Sequence, residues 1–433
     1  MKRARSGATL SLAMLATIAV TGVAQADALR LDEAVRLALA RNENAKIADD
    51  QVVVADAAVD KARTAFLPIV AAAGTNTARP YQVSKSGTVV LPYDQATSST
   101  TIAQPILVAS AFPLLRQAQR LLDAQRASST DAKRLLAFTA ATAFFQTLSS
   151  EEVLQAANRS ADAAKANLLD AQARVDAQLN SSNDVTRAQL DLANAEEQVA
   201  NNAGTVDRAY IQLGFVLNAT VQGPLAQPDA TLKAAATPPP KVDDLIAIGV
   251  QRRPDLLAAR HAARAAVLFA EEPMLRIVPT VGLTAGVAGN SFSSSGRVFD
   301  ETAAATITWT IFDAGVRYAD KRSRDGQASI AYLQYELLSR SVGNDVRNAI
   351  ATLVASQNAL RFARDADTAA IKSADETGTL YKQGLATALE LTDANDSRFE
   401  ADVGLVSAEL ATALAYLSLR QAMGLDPLGT ELN

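Results

Sequence analysis

The sequence predicts an α+β membrane protein in which each protomer has long antiparallel α-helical coiled-coil hairpins and four transmembrane β-strands. Three observations carry this prediction: an export signal, an internal duplication, and alternating strand patterns beside very long helical periods. An open sheet edge in lipid would leave backbone groups unpaired, so four strands need other copies of the chain to close a barrel. Three copies would supply twelve strands.

The N-terminus has the pattern of a secretory signal peptide over residues 1–26. Lys2, Arg3 and Arg5 precede an apolar run, which ends before Ala-Gln-Ala at residues 24–26. The alternative is a transmembrane anchor, but the apolar run is short for a span of about 20 residues. Removal of the signal takes the formal charge from -5 to -8. This acidic balance argues against nucleic acid as a partner.

The composition leaves little chemistry for catalysis. The chain has no cysteine, so disulfides, thiol catalysis, Cys-ligated metals and an N-terminal lipidated Cys are excluded. P-loop and nucleophile-elbow motifs are absent. The single histidine, His261, fits the surface of an amphipathic helix. We therefore predict that the protein is not an enzyme and needs no cofactor or metal.

The mature chain is an internal duplication. Residues 31–68 align without a gap on residues 242–279, at an offset of 211. Residues 175–190 align on residues 381–396 at an offset of 206. The predicted organisation is a signal peptide followed by two repeats: residues 1–26, 27–240 and 241–433.

Each repeat contains a pair of strand-like segments, near residues 68–107 and 279–313. The strands begin after Pro68 and Pro279, which we place at the junction between barrel and helices. Polar stretches between the strands, residues 79–94 and 290–300, are predicted loops. A segment of about ten residues with one apolar face suits a transmembrane strand. A small soluble sandwich is the alternative.

The last of these strands indicates which side faces lipid. Its apolar residues alternate with threonines in the period of a β-strand. Ile307, Trp309 and Ile311 are therefore predicted to face lipid, and Thr308 to face the lumen.

Two very long helices follow the strand pairs. Residues 111–179 and 315–383 have helical periodicity with no proline after Pro113, which predicts helices of roughly 100 Å. Alanine-rich heptad seams predict hairpins over residues 111–222 and 315–424. A solvated coiled-coil rod is the local alternative.

The return paths need a second segment to match the long helices in length. We expect the first return helix, residues 185–222, to continue after the Pro-rich linker, residues 223–240, into residues 242–277. The second, residues 391–424, would continue into residues 31–67. The linker and both chain ends would then lie at one mid-height level.

These features together resemble the TolC-like outer membrane efflux protein family over essentially all of the mature chain. The resemblance rests on LDEAVRLALARNENAK, its copy VDDLIAIGVQRRPDLLAAR, the prolines before the strands, and YKQGLATALELTD. It implies a homotrimer with a 12-stranded barrel in outer membrane lipid and a 12-helix tunnel in the periplasm of a Gram-negative bacterium. The implied partners are a periplasmic adaptor (membrane fusion) protein and an inner membrane transporter.

The same resemblance implies a gate at the periplasmic ends of the hairpins. Asp184, Glu390 and Asp393 would surround the threefold axis at the constriction, and Tyr381 would form a hydrogen-bonded pair with Asp184. One position departs from the family, because Ala386 stands where a basic residue can lock the gate. The alternative is that Glu390 and Asp393 are solvated acids favoured by the helix dipole. Both roles are compatible.

The predicted function is a passive exit duct for a tripartite efflux pump or a type I secretion system. The alternative is a periplasmic coiled-coil adaptor or scaffold without a pore. Such a protein would share the hairpins and heptads but would lack two duplicated pairs of lipid-compatible strands.

Overall fold

The computed structural model describes residues 28–179, 181–292 and 296–429, and the predicted signal peptide lies outside them. The described chain joins a four-stranded antiparallel sheet to two long helical hairpins. Its helices are α1 (Leu31–Arg41), α2 (Glu43–Arg63), α3 (Ala111–Asp176), α4 (Ser182–Leu217), α5 (Asp229–Ala236), α6 (Val242–Arg252), α7 (Pro254–Leu275), α8 (Val316–Lys382) and α9 (Ala388–Ala422).

The helices of the two halves match in order and length. The descending helices α3 and α8 have 66 and 67 residues, which corresponds to about 100 Å each. The ascending helices α4 and α9 have 36 and 35 residues. The short pairs match as well, with 11 residues in both α1 and α6, and 21 and 22 residues in α2 and α7.

The hairpins pack through small residues. Ala157, Ala171 and Ala195 are buried along the first hairpin, and Ala374 along the second. Alanine lets helix backbones approach closely, which suits two helices that remain side by side over many turns. By length and composition α9 could cross a membrane, but it lies along α8 in the second hairpin.

The upper part of the first ascending path differs from the prediction. Helix α4 is continued by α1 and α2 of its own repeat, not by the segment after the linker. Asn42 Nδ2 donates to the carbonyl of Val216 at 2.8 Å, and Asn218 Nδ2 donates to Glu43 Oε1 at 2.8 Å. The last carbonyls of a helix lack intrahelical donors, so Asn42 satisfies one of them at the end of α4. The Asn218–Glu43 bond links the end of α4 to the start of α2.

The second ascending path is joined in the same way. Helix α9 ends against the α6–α7 break, where Gly424 has a φ of 72°. A Cβ atom on Gly424 would lie 2.9 Å from the backbone N of Arg253, so only glycine fits this close approach. The expected continuation of residues 391–424 into residues 31–67 is therefore wrong, because each joint forms inside one repeat.

The linker and both ends of the described chain meet at one level. The backbone N–H of Ala226 donates to the carbonyl of Leu29 at 2.9 Å. Leu29 and Leu428 pack against the same buried cluster, which contains Phe144 and Leu217. This level also contains the α4 joint, so the chain starts, crosses between repeats and ends at mid-height.

The sheet has the order β1-β4-β5-β6, and all its neighbouring strands are antiparallel. Among the described residues, β1 and β6 therefore have one neighbouring strand each. A separate hairpin joins β2 to β3. The strands are β1 (Ile69–Ala78), β2 (Val83–Lys85), β3 (Thr88–Leu91), β4 (Asp94–Leu107), β5 (Thr280–Phe292) and β6 (Gly296–Thr308).

Three strand boundaries differ from the sequence prediction. The predicted loop at residues 79–94 contains the β2–β3 hairpin, and much of the predicted loop at residues 290–300 belongs to β5 and β6. Strand β6 ends at Thr308, so Trp309 and Ile311 lie beyond it. Thr308 pairs with Thr280, the first residue of β5. The residues just before Thr280 belong to the junction with α7, so Trp309 has no strand residue opposite it.

Candidate functional site

The tip of the first hairpin reverses the chain with a Schellman motif. The N–H of Leu179 donates to the carbonyl of Arg174 at 2.8 Å, and the N–H of Gln178 donates to that of Val175 at 2.9 Å. Gln178 has a φ of 60°, in the left-handed region. Helix α4 then starts with Ser181 as its N-cap.

The tip of the second hairpin has the same backbone motif. The N–H of Leu385 donates to the carbonyl of Leu380 at 2.9 Å, and Gly384 takes the left-handed position with a φ of 77°. A capping box starts α9. The N–H of Thr387 donates to Glu390 Oε2 at 2.7 Å, and the N–H of Glu390 donates to Thr387 Oγ1 at 3.3 Å.

The two acids of the second tip have different surroundings. The backbone N–H and hydroxyl of Thr387 lower the pKa of Glu390 by hydrogen bonding to its carboxylate. Asp393 is exposed on the next turn of α9. Burial raises the pKa of Asp396, and the nearby carboxylates of Asp191 and Asp393 raise it further. Glu390 is thus a helix-capping acid, whereas Asp393 borders a group of like charges.

A contact between the tips joins the two hairpins. Tyr381, at the end of α8, is 4% exposed. The guanidinium carbon of Arg174, on α3, lies 4.6 Å from the centre of the Tyr381 ring, a cation–π distance. Arg174 Nη2 also donates to the carbonyl of Lys382 at 2.8 Å. That carbonyl ends α8, where a positive charge is favoured by the helix dipole.

The Tyr381 hydroxyl lies among charges of both signs. Burial raises the pKa of Tyr381, Arg174 lowers it, and the carboxylates of Asp184 and Asp170 raise it. Asp184 is half-buried in the first turn of α4. Its charge therefore acts on the hydroxyl, and the predicted Tyr381–Asp184 hydrogen bond stays a prediction.

The helix–strand junctions are built alike in both repeats. Pro68 lies directly before β1, and Pro279 directly before β5. Gln104 Nε2 donates to the carbonyl of Phe66 at 3.0 Å. In the second repeat Trp309 Nε1 donates to the carbonyl of Ile277 at 2.9 Å. Different side chains thus fix the same backbone level below the sheet.

Large apolar side chains are exposed at the end of β6 and on the segment that follows it. Ile307, Trp309 and Ile311 have exposed fractions of 71%, 57% and 68%. Directly opposed residues of antiparallel strands share a face, and Ile307 pairs with Val281. The other face of β6 carries Thr306 and Thr308.

Comparison with known proteins decides the family. The profile described as outer membrane efflux protein matches residues 34–219 and 245–425, most of both repeats. This chain belongs to the outer membrane efflux protein family. Membership of this family assigns the chain to the outer membrane.

Two curated relatives of this efflux protein match over part of its length. Outer membrane protein OprJ of Pseudomonas aeruginosa is 27% identical over 183 residues, which are 40% of this chain and 37% of OprJ. Outer membrane efflux protein BepC of Brucella suis is 24% identical over 253 residues, which are 57% of this chain and 56% of BepC. The matches thus span about a third to a half of the relatives.

A solved structure extends the likeness to the whole fold. The open state of the Neisseria gonorrhoeae MtrE outer membrane channel has a TM-score of 0.75 and 22% sequence identity. The alignment covers 92% of this chain and 89% of MtrE. This efflux protein therefore has the fold of a TolC-like channel protomer.

Sequence reasoning about this efflux protein missed Arg174. It looked for a basic partner near the gate at Ala386, on the second tip, and found none. The structure brings a basic side chain from the first tip instead. The available signal was the repeat alignment itself, because Arg174 falls on Leu380 at the offset of 206. Arg174 thus has no charged counterpart in the second repeat, and its contact was visible only in the structure.

Proposed function

We propose that three copies of this chain form a passive exit duct through the outer membrane and the periplasm. Each copy would contribute four strands to a 12-stranded barrel and four helical columns to a 12-helix tunnel. Two repeats, residues 27–240 and 241–433, would each supply two strands and one hairpin. The observation that carries the proposal is a sheet with two unpaired edges, β1 and β6, joined to helices of about 100 Å. Unpaired edges in lipid cost several kcal/mol per backbone group.

Family membership supports the choice of partners. We propose that a periplasmic adaptor and an inner membrane transporter deliver cargo to the duct, in a tripartite efflux pump or a type I secretion system. The duct itself carries out no chemical step. A scaffold without a pore would not need a sheet whose edge strands pair with other copies in the membrane. A channel therefore explains the sheet better.

The outward face of the barrel follows from the strand pairing. We propose that Ile307, Trp309 and Ile311 contact lipid. Ile307→Arg should impair insertion, at a cost of roughly 2–4 kcal/mol near the bilayer midplane. Thr308→Arg is the matched control, because it points to the other face of β6. Equal amounts of both variants in outer membrane fractions would refute this orientation.

We propose that the hairpin tips form the periplasmic gate of the duct. Threefold symmetry would gather Asp184, Glu390 and Asp393 around one axis, with Tyr381 and Arg174 just above them. Carboxylates in a narrow opening attract cations and repel anions. The group of like charges beside Asp393 supports this field, and the capping role of Glu390 is compatible with it.

The channel and its gate can be tested in one preparation. Purified protein should be a trimer in mild detergent and should form cation-selective channels in planar bilayers, blocked by divalent cations added from the tip side. Glu390→Ala/Asp393→Ala should weaken selectivity and block together. Glu390→Ala or Asp393→Ala alone should weaken both properties less than the double variant, because each removes one of the two carboxylates.

Asp365→Ala is the control, since Asp365 is an exposed acid on α8 far from the tips. A stable monomer without conductance would refute the duct. Channels with unchanged selectivity in the double variant would refute the gate alone.

A further inference from the structure

The duplication extends through the sheet with constant offsets. Strand β1 aligns on β5 at an offset of 211, and β4 aligns on residues 299–312 at an offset of 205. The second alignment places Ile102 on Ile307 and Ile106 on Ile311. The junction contacts obey the same offsets, because Gln104 and Phe66 correspond to Trp309 and Ile277. Equivalent residues can therefore be assigned one by one.

Strand β4 extends four residues beyond the position equivalent to the end of β6, because it has a second partner there. Within its own repeat, β4 pairs with β1 only as far as Ala103, which faces Ile69. Beyond this point Gln104 pairs with Leu283 and Pro105 with Gly282, both on β5 of the next repeat. The equivalent of Ala103 is Thr308, where β6 ends. Residues 309–312 thus correspond to residues 104–107, the part of β4 that lies along β5 of the next repeat.

The side chains at this end are exposed accordingly. Phe312 is 83% exposed, whereas its equivalent Leu107, which pairs with β5, is 39% exposed. On the opposite edge of the sheet, Ile69 and Val70 are 61% and 65% exposed. Two apolar edges therefore stand open, one ending in residues 309–312 and one starting at Ile69.

We infer that β6 and residues 309–310 pair with β1 of an adjoining copy in the register that β4 and β5 use inside the chain. This inference rests on the proposed trimeric barrel and specifies its seams. Transferring the β4–β5 register by the two offsets gives four central pairs. They are Thr306 with Thr75, Ile307 with Gly74, Thr308 with Ala73, and Trp309 with Ala72 of the adjoining copy.

The side chains favour this register over its neighbours. A shift by one residue would put Ile307 and Trp309 opposite residues of the other face, which period two forbids. The inferred register opposes Ile307 of β6 and the following Trp309 to small residues of β1, Gly74 and Ala72. A shift of two residues in one direction would oppose Ile307 to Asn76. The opposite shift would crowd Trp309 against Val70.

The test uses the absence of cysteine from the chain. Thr308→Cys/Ala73→Cys introduces one inferred seam pair into every copy. Its matched reference is Ala103→Cys/Thr284→Cys, the equivalent pair that lies within the chain. Two further double variants shift the register by two residues, Thr306→Cys/Ala73→Cys and Thr310→Cys/Ala73→Cys. All four are oxidised in outer membranes under conditions that close the reference disulfide.

The inferred register predicts covalent dimers and trimers for Thr308→Cys/Ala73→Cys, several-fold more than for either shifted pair. The reference should close within single chains. More product in a shifted pair would overturn the register and leave the barrel standing. If no pair crosslinks between copies while the unmodified protein is trimeric in detergent, these edges do not meet and the inference is wrong. A monomer in detergent would instead refute the proposed duct.

Discussion

The two hairpin tips share one backbone and differ in their side chains. Both reverse the chain with a Schellman motif, but Gln178 holds the left-handed position in the first tip and Gly384 in the second. Both start the return helix with a hydroxyl N-cap, Ser181 or Thr387. The tight reversal thus requires the same backbone conformation in both tips, whereas the residues that form it can differ.

The side chains that link the tips show what this divergence allows. Arg174 and Tyr381 form the cation–π contact, and each has an apolar equivalent in the other repeat, Leu380 and Val175. Leu380 and Val175 cannot form such a contact with each other. The cation–π contact is therefore not shared by the equivalent positions, so tip variants should separate shared backbone roles from unshared side-chain roles.

Arg174→Ala should have the largest effect on the tips. It removes a cation–π contact and a charged hydrogen bond to the end of α8, together roughly 2–4 kcal/mol. The open fraction of single channels in planar bilayers should therefore rise strongly. Arg187→Ala is the control, because Arg187 is an exposed arginine of the first tip. Equal open fractions in both variants would show that the Arg174 contact does not hold the tips together.

Tyr381→Phe should have a smaller effect in the same direction. The ring stays against Arg174, and only the hydroxyl near Asp184 is lost, at about 0.5–1.5 kcal/mol for one hydrogen bond. The open fraction should lie between those of the wild type and Arg174→Ala. Tyr332→Phe, at an exposed tyrosine higher on α8, should leave it unchanged. If Tyr381→Phe has the same open fraction as the wild type, the Tyr381 hydroxyl has no role in the gate.

Exchange of the left-handed residues should change local stability by about 1 kcal/mol or less. Gln178→Gly should slow amide hydrogen exchange at the first tip, because glycine adopts a positive φ without strain. Gly384→Ala should speed exchange at the second tip for the converse reason. The unmodified tip of each variant is its internal control. Faster exchange in Gln178→Gly would mean that chain entropy outweighs the strain.

The smallest expected effect is an acid dependence of the second tip. Thr387 lowers the pKa of Glu390 below its ordinary value of 4.5. Capping therefore stabilises α9 fully above that value and is lost as the pH falls through the lowered pKa. Protease cleavage at the second tip should increase in this acid range, with one protease active at acid pH and one active at neutral pH as probes. Thr387→Ala should be cleaved more readily at neutral pH and should change less on acidification; a parallel response in both proteins would contradict this role.

The long helices and the order of elements could be predicted because local periodicity and the internal duplication indicate them directly. Helix periods fixed α3 and α8 to within a few residues, and the aligned halves indicated matching parts in the same order. The joints between ascending helices could not be predicted from chain continuity. Asn42 reaches Val216, which is 174 residues away, and no local pattern marks that hydrogen bond.

The predictions of the strand ends and of the contact between the tips failed for related reasons. Alternation predicted a strand through Ile311, but within the chain a strand extends only as far as its partner, and β5 begins at Thr280. Arg174 was missed because its role depends on an approach between two hairpins, not on its neighbours in sequence. Both are properties of surfaces that meet in three dimensions.

Because each ascending joint forms inside its own repeat, each repeat is a unit with two strands of the four-stranded sheet, one descending helix and one two-part ascending column. A ring of three chains would contain six such units, and the inferred seams would repeat the internal β4–β5 contact. The barrel would then have nearly sixfold symmetry, whereas Arg174 and Tyr381 reduce the tips to threefold symmetry. Movement that parts these two residues would then separate unlike neighbours alternately around such a ring.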